Sequence, residues 1–230
     1  MHFITRRLLL KASTAALALM TIPCIAWAER NWDAPRIVTT YCSGCHGVDG
    51  NSQLPYFPKL AGLNPKYAEK KLSAFKEPAA PPVDELYWWT LRLTGAKKDA
   101  GNVTHDERVD MDGVAHAAKP AVMKEAILWY AKQTPSPGHS SDKMLVEKGR
   151  TLFMLGVPAQ KITACVTCHG AEAQGQGTVP LLAGQNAEYI EGQLDKFRKG
   201  DRKHAPEMTM VTRDLDSEQA HAAAVYLQSK

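Results

Sequence analysis

The chain has 230 residues, with 28 Lys+Arg against 24 Asp+Glu and a formal charge of +4. That length holds one or two domains with cores of their own. Three of the basic residues, Arg6, Arg7 and Lys11, fall in the first 28, leaving 25 against 24. So even a balance excludes the concentrated basic surface that nucleic acid requires.

The N-terminal stretch "MHFITRRLLLKASTAALALMTIPCIAWAER" has a basic start, an apolar run from Ala12 to Ile25, and Ala26-Trp27-Ala28. This is the pattern of a secretory signal peptide, residues 1–28, cleaved after Ala28. The apolar run is short for a bilayer span, which needs ~20 residues. Export predicts a periplasmic protein, in a compartment that permits disulfides. Cys24 leaves with the leader, and Cys42, Cys45, Cys165 and Cys168 remain.

Next comes "TTYCSGCHGVDG", residues 39–50, with two cysteines three positions apart and His46 directly after the second. "NPKYAEKKLSAFK" follows, with Tyr67, Leu72 and Phe75 on one face of a predicted helix opened by an Asn cap. An insertion at about 78–108 starts proline-rich and holds Tyr87, Trp88 and Trp89; it reads as a surface loop with a short helix. "PAVMKEAILWYAKQ" is an amphipathic helix, and "QTPSPGHSSD" is a linker by its proline, glycine and serine.

The second part repeats the first. "SDKMLVEKGRTLFMLG" is a helix capped at Ser141 or Asp142, followed by "CVTCHG" and by "NAEYIEGQLDKFRK". "DSEQAHAAAVYLQ" is the last helix, opened by Asp-Ser with Glu218 close behind. Cys42, Cys45 and His46 align with Cys165, Cys168 and His169 at an offset of 123. Leu60-Ala61-Gly62, Tyr67, Leu72 and Phe75 align with Leu182-Ala183-Gly184, Tyr189, Leu194 and Phe197 at 122. The chain is an internal duplication. It divides into a first domain at 29–135, a linker at 136–141 and a second domain at 142–230, all helical and without strand signals.

The C-x-x-C-H spacing lets two thiols add to the two vinyl groups of one haem, with the next histidine under the iron. A thioredoxin-like redox pair would need strands in a βαβ pattern. A joint zinc site would leave His46 and His169 unexplained. Two covalent haems c are therefore predicted, on Cys42, Cys45 and His46 and on Cys165, Cys168 and His169. Buried porphyrins would complete cores that domains of this size build with difficulty alone, and Leu60, Leu182, Tyr67 and Tyr189 are candidates to pack on them. For the sixth ligand the residues offer Met208 or Met210 in the second copy. In the first they offer Met111 or Met123, with His105 and His116 as outsiders. Met123 lies inside an amphipathic helix and reads as core; Met111 lies in a polar stretch, unusual for a plain hydrophobe.

The tandem "C-x-x-C-H-G … P-x-L-A-G … Y … L … F-[KR] … M … Y" resembles the di-haem cytochrome c4 family across nearly the whole chain after the leader. The resemblance implies two tandem cytochrome c-like domains, each wrapped around a covalent haem, with a ligand methionine about two turns before the last helix. That position selects Met208, which stands 18 residues before Tyr226, and Met111, which stands 19 before Tyr130, with Met210 in reserve. It implies a non-enzymatic carrier of single electrons between a respiratory donor and a terminal oxidase or reductase, associated with the membrane only through those redox protein partners. The rival is a di-haem dehydrogenase, for instance a thiosulfate-oxidising one, or the electron-transfer subunit of such an enzyme. The insertion departs from the family's usual length.

Overall fold

Helices account for the regular structure in the computed structural model, which describes residues 33–75 and 107–230. The leader, most of the insertion with Tyr87, Trp88 and Trp89, and His105 lie outside the described residues. All described residues fall within one unit, Asp33–Lys230. Among them only two isolated β-bridges occur, Val157 with Ile162 and Gln176 with Val179.

In the first half a π-helical turn, Val38–Cys42, runs directly into α1, Ser43–His46. Then come α2, Pro65–Phe75; α3, Glu107–Ala117; and α4, Pro120–Ala131. The second half supplies α5, Lys143–Leu155; a 3-10 turn, Pro158–Gln160; and α6, Val166–His169. It finishes with α7, Ala187–Arg198; α8, Pro206–Thr212; and α9, Ser217–Gln228. Pro120 and Pro206 stand at helix starts, where a missing N–H costs nothing.

The second half is organised by the crossing of α5 and α9. Ala222, Ala223 and Ala224 are buried on α9, and Gly149 of α5 sits so close that a Cβ there would lie 1.9 Å from the Ala222 carbonyl oxygen. Small residues on both sides let the two backbones approach. Phe153, with no exposed surface, then packs on Tyr226 with ring centroids 5.6 Å apart. In the first half Ile37 and Val38 pack instead on Ala126 and Tyr130 of α4. Met123 is buried there, as its place in an amphipathic helix predicts.

Cap chemistry departs from expectation in instructive ways. Asp142, not Ser141, caps α5 by accepting from the Leu145 N–H at 2.9 Å. Asp216 caps α9, but the residue that answers it in the capping box is Gln219 rather than Glu218. Asn64 accepts from the Lys66 N–H at 3.0 Å, as a capping Asn should. Asn186, its counterpart before α7, makes no side-chain cap. Gln228 serves that helix instead, accepting from the Ala187 N–H at 2.8 Å.

Candidate haem-binding sites

Each C-x-x-C-H motif ends a single helical turn, so the two thiols and the imidazole leave one short stretch of backbone together. The turn stops at the histidine because the next residue is a glycine with positive φ, +78° at Gly47 and +81° at Gly170. A side chain is strained there, which explains the glycine after each histidine. From that point a loop returns over the motif. Leu60 and Ala61 donate to the Gly50 carbonyl at 2.7 and 3.2 Å, and Leu182 and Ala183 donate to the Ala173 carbonyl at 2.8 and 3.3 Å. The duplicated Leu-Ala-Gly closes the same loop twice. Gly62 then donates to the Tyr130 carbonyl at 2.9 Å and Gly184 to that of Leu227 at 2.8 Å, tying each loop to its last helix.

These loops deliver an acceptor to each imidazole. His46 Nδ1 lies 2.9 Å from the Pro58 carbonyl oxygen, and His169 Nδ1 lies 3.3 Å from that of Pro180. A carbonyl only accepts, so Nδ1 carries the proton and Nε2 is left with its lone pair. Both rings are buried, at 6% and 5% exposure. Burial also pushes the His169 pKa below its usual value, against the opposing pull of the Pro180 carbonyl. A neutral ring with its lone pair on Nε2 is the form that ligates iron, and a carbonyl on the far nitrogen is the usual outer partner of a ligating histidine. Pro58 and Pro180 match at the same 122 offset as the Leu-Ala-Gly; only the significance of that match went unread in the sequence.

Cys42, Cys45 and Cys165 are half-buried and Cys168 is exposed, and none of the four is in a disulfide. Burial pushes Cys42 and Cys165 up to about 11, with Tyr130 pulling Cys42 slightly back. Redox-active cysteine pairs depend on the opposite shift. Among the described residues no three His, Cys, Asp or Glu side chains converge as a metal cluster, so the two motifs do not form one shared zinc site. The first motif is further braced where Tyr130 donates to the Gly47 carbonyl at 3.0 Å and Trp129 to that of Val48 at 2.7 Å. Thiols, buried imidazole and apolar helix faces fit a covalent haem in each half.

The methionines occupy parallel places. Met111 is half-buried on α3, which packs on α2, and Met208 is half-buried on α8, which packs on α7. Both helices are additions to the elements expected from sequence. Met210 follows two residues on, about 200° round the helix, and is 68% exposed. His116 is exposed on α3, five residues after Met111. Leu60 lines the first core and Leu182 the second, as ring-packing candidates should.

A family model for cytochrome c matches residues 33–112 and 146–230. The cytochrome c4 of Stutzerimonas stutzeri is 30% identical over 95% of this chain and 98% of its own length. A thiosulfate dehydrogenase electron acceptor of Stutzerimonas stutzeri (strain A1501) is 30% identical over 80% of this chain and 76% of its own. The solved structure of cytochrome c4 from Acidithiobacillus ferrooxidans superposes with a TM-score of 0.66 at 29% identity, covering 84% of this chain and 99% of that one. Two matched segments, two loop-closed histidine motifs and near full-length similarity agree: the chain belongs to the cytochrome c family and, within it, to the di-haem cytochromes c4, electron-transfer proteins with two covalent haems c.

Proposed function

We propose that this di-haem cytochrome is exported to the periplasm and passes single electrons from a respiratory donor to a terminal oxidase or reductase. Cys42 and Cys45 hold the first haem by thioether bonds, and Cys165 and Cys168 the second. His46 and His169 are the proximal ligands and Met111 and Met208 the distal ones. The observation that carries this assignment is the pair of buried imidazoles, each with Nδ1–H given to a prolyl carbonyl.

Each haem supplies a one-electron ferric/ferrous couple when bound. The chain's residues make that couple fast and confined. Pro58 and Pro180 would fix the tautomer and orientation of the two imidazoles that hold the iron. Met111 and Met208, as thioether ligands, would raise the potential and leave no position for a substrate. The test is the ferric spectrum of the holoprotein, expected to be all low-spin with a methionine-to-iron charge-transfer band of two-haem intensity. Met111→Ala and Met208→Ala should each remove about half of that band. High-spin iron in the unmodified protein, or ready CO binding at one haem, would sink the carrier reading.

A second reading is favoured by the relative named as a thiosulfate dehydrogenase electron acceptor. There the donor is a thiosulfate dehydrogenase rather than a respiratory complex. Stopped-flow reduction by such an enzyme with thiosulfate, compared with reduction by a quinol-oxidising complex, separates the two donors.

A further inference from the structure

The loop that serves His46 is held from outside its own half. Asn186, buried at 9% exposure, points away from the helix it precedes. Its side-chain amide donates to the Phe57 carbonyl at 2.9 Å and the Leu54 carbonyl at 3.0 Å, with a longer contact of 3.4 Å to that of Ser52. Beside it Gln185, buried at 8%, forms a two-way bridge to Lys59: its Oε1 accepts from the Lys59 N–H at 2.8 Å and its Nε2 donates to the Lys59 carbonyl at 3.0 Å. Gln185 Oε1 also accepts from the Asn186 N–H at 2.9 Å, which locks the two clamp residues together.

Pro58 stands between the clamped residues Phe57 and Lys59, and its carbonyl is the one that accepts from His46. Phe57 itself lies edge-on to the His46 ring with centroids 6.3 Å apart. In the second half the matching loop closes on its own half, through Leu182 and Ala183 to Ala173 and through Gly175 to the His169 carbonyl. The counterparts of Gln185 and Asn186 are Leu63, which has no side-chain amide, and Asn64, which caps its own helix. The imidazole–carbonyl distances follow this asymmetry, 2.9 Å for the clamped loop and 3.3 Å for the other.

We propose that Gln185 and Asn186 of the second half are positioning residues for His46, setting the strength of its Nδ1–H bond to Pro58 and so tuning the first haem without touching it. This rests on the reading of His46 as an axial ligand. A firmer Nδ1–H bond gives the ring more imidazolate character and favours ferric iron. The clamp therefore holds the first haem's potential below the value its own half would set.

The test uses the full-length holoprotein carrying Gln185→Ala and Asn186→Ala, singly and together. Paramagnetic NMR reads the exchange of each axial Nδ1 proton, and haem methyl shifts through a redox titration give each potential separately. The His46 proton should exchange roughly tenfold faster in the double variant, the loss of about one hydrogen bond's worth of protection, and the first haem's potential should rise. The His169 proton and the second haem's potential should stay put. Gln185→Leu keeps the volume but loses both amide groups without adding charge, and should match the shift of Gln185→Ala. No change at His46, or equal changes at both haems, overturns the clamp. His46→Ala tests the underlying assignment: one haem must lose its low-spin signal. If both stay low-spin, the ligand assignment has failed and the clamp with it, whereas a lost signal with unmoved clamp variants condemns the clamp alone.

Discussion

Met208 and Met210 stand two residues apart on one short helix, yet solvent reaches only one of them freely. Met210 is 68% exposed and Met144 75%, while Met123 is 7% exposed and Met208 half-buried with its carbonyl held by the Thr212 hydroxyl at 2.7 Å. Methionine oxidation follows exposure, and a sulfur bound to iron has its lone pair engaged. Limited peroxide treatment followed by peptide mass spectrometry should therefore show sulfoxide at Met144 and Met210 first, with the charge-transfer band intact. Loss of half the band with oxidation confined to Met210 would move the ligand assignment to that residue. The residues alone narrowed the choice to these two, and the family spacing preferred Met208 with Met210 in reserve. Local pattern could not supply the burial that distinguishes them, since which face of α8 meets the core depends on α7, a neighbour that no local periodicity encodes. Cysteine and histidine roles were legible because thioether attachment fixes their spacing covalently. The carbonyls of Pro58 and Pro180 were not, because a backbone acceptor has no side-chain signature.

Two glycines on regular helices show how differently one residue type is used at the scale of an element. Gly149 is buried where α5 crosses α9, and an added Cβ would meet the Ala222 backbone at 1.9 and 2.6 Å. Gly192 lies in α7 with open space where its Cβ would be. Gly192→Ala should raise stability by about 0.5–1 kcal/mol through helix propensity. Gly149→Ala gains the same propensity but must push two backbones apart, so it should lower stability by about 1–3 kcal/mol. Thermal melts of the two holoprotein variants compare them directly; a stabilised Gly149→Ala protein would refute the close crossing. The existence of α5, α7 and α9 was readable from local apolar spacing, although α9, expected to be amphipathic, buries an unbroken run from Ala222 to Leu227 between its neighbours. Helices α3 and α8 escaped notice, α8 being short and both polar in part and lacking a full apolar stripe. Cap partners were the other blind spot. Asp216 announced itself, but whether Glu218 or Gln219 answered it depended on geometry at the third position of the turn.

For the whole molecule, the docking of the halves decides how the two haems share one frame. The clamp consists of neutral amides on backbone carbonyls and an N–H, linking residues 126 to 134 positions apart. The linker joins in, with the Ser136 N–H and hydroxyl donating to Asn51 Oδ1 at 2.8 and 3.0 Å and Lys59 Nζ donating to the Ser136 carbonyl at 2.7 Å. A segment read from its composition as a linker is thus also part of the joint. Salt shortens the screening length from about 8 Å at physiological strength to about 3 Å at 1 M, which weakens exposed ion pairs but leaves neutral hydrogen bonds alone. Small-angle scattering of the holoprotein should therefore give the same radius of gyration from low salt to 1 M; expansion at high salt would mean that charge holds the halves together. Duplication made the paired architecture legible from sequence. The joint was hidden, because Gln185 has no amide counterpart in Leu63 and the aligned Asn64 and Asn186 spend the same side chain on different partners.

That joint also orders events in time. Synthesis delivers the N-terminal half first, and its cysteines and histidine are complete more than a hundred residues before Gln185 and Asn186 exist. The loop bearing Pro58 must wait, its final geometry supplied by a part of the chain not yet made. The second half's loop is tied to Ala173 within its own half, through Leu182 and Ala183. The half that is born first is thus the last to be finished, and a truncation after the linker would leave it with a motif able to take up haem but without the brace that sets its histidine.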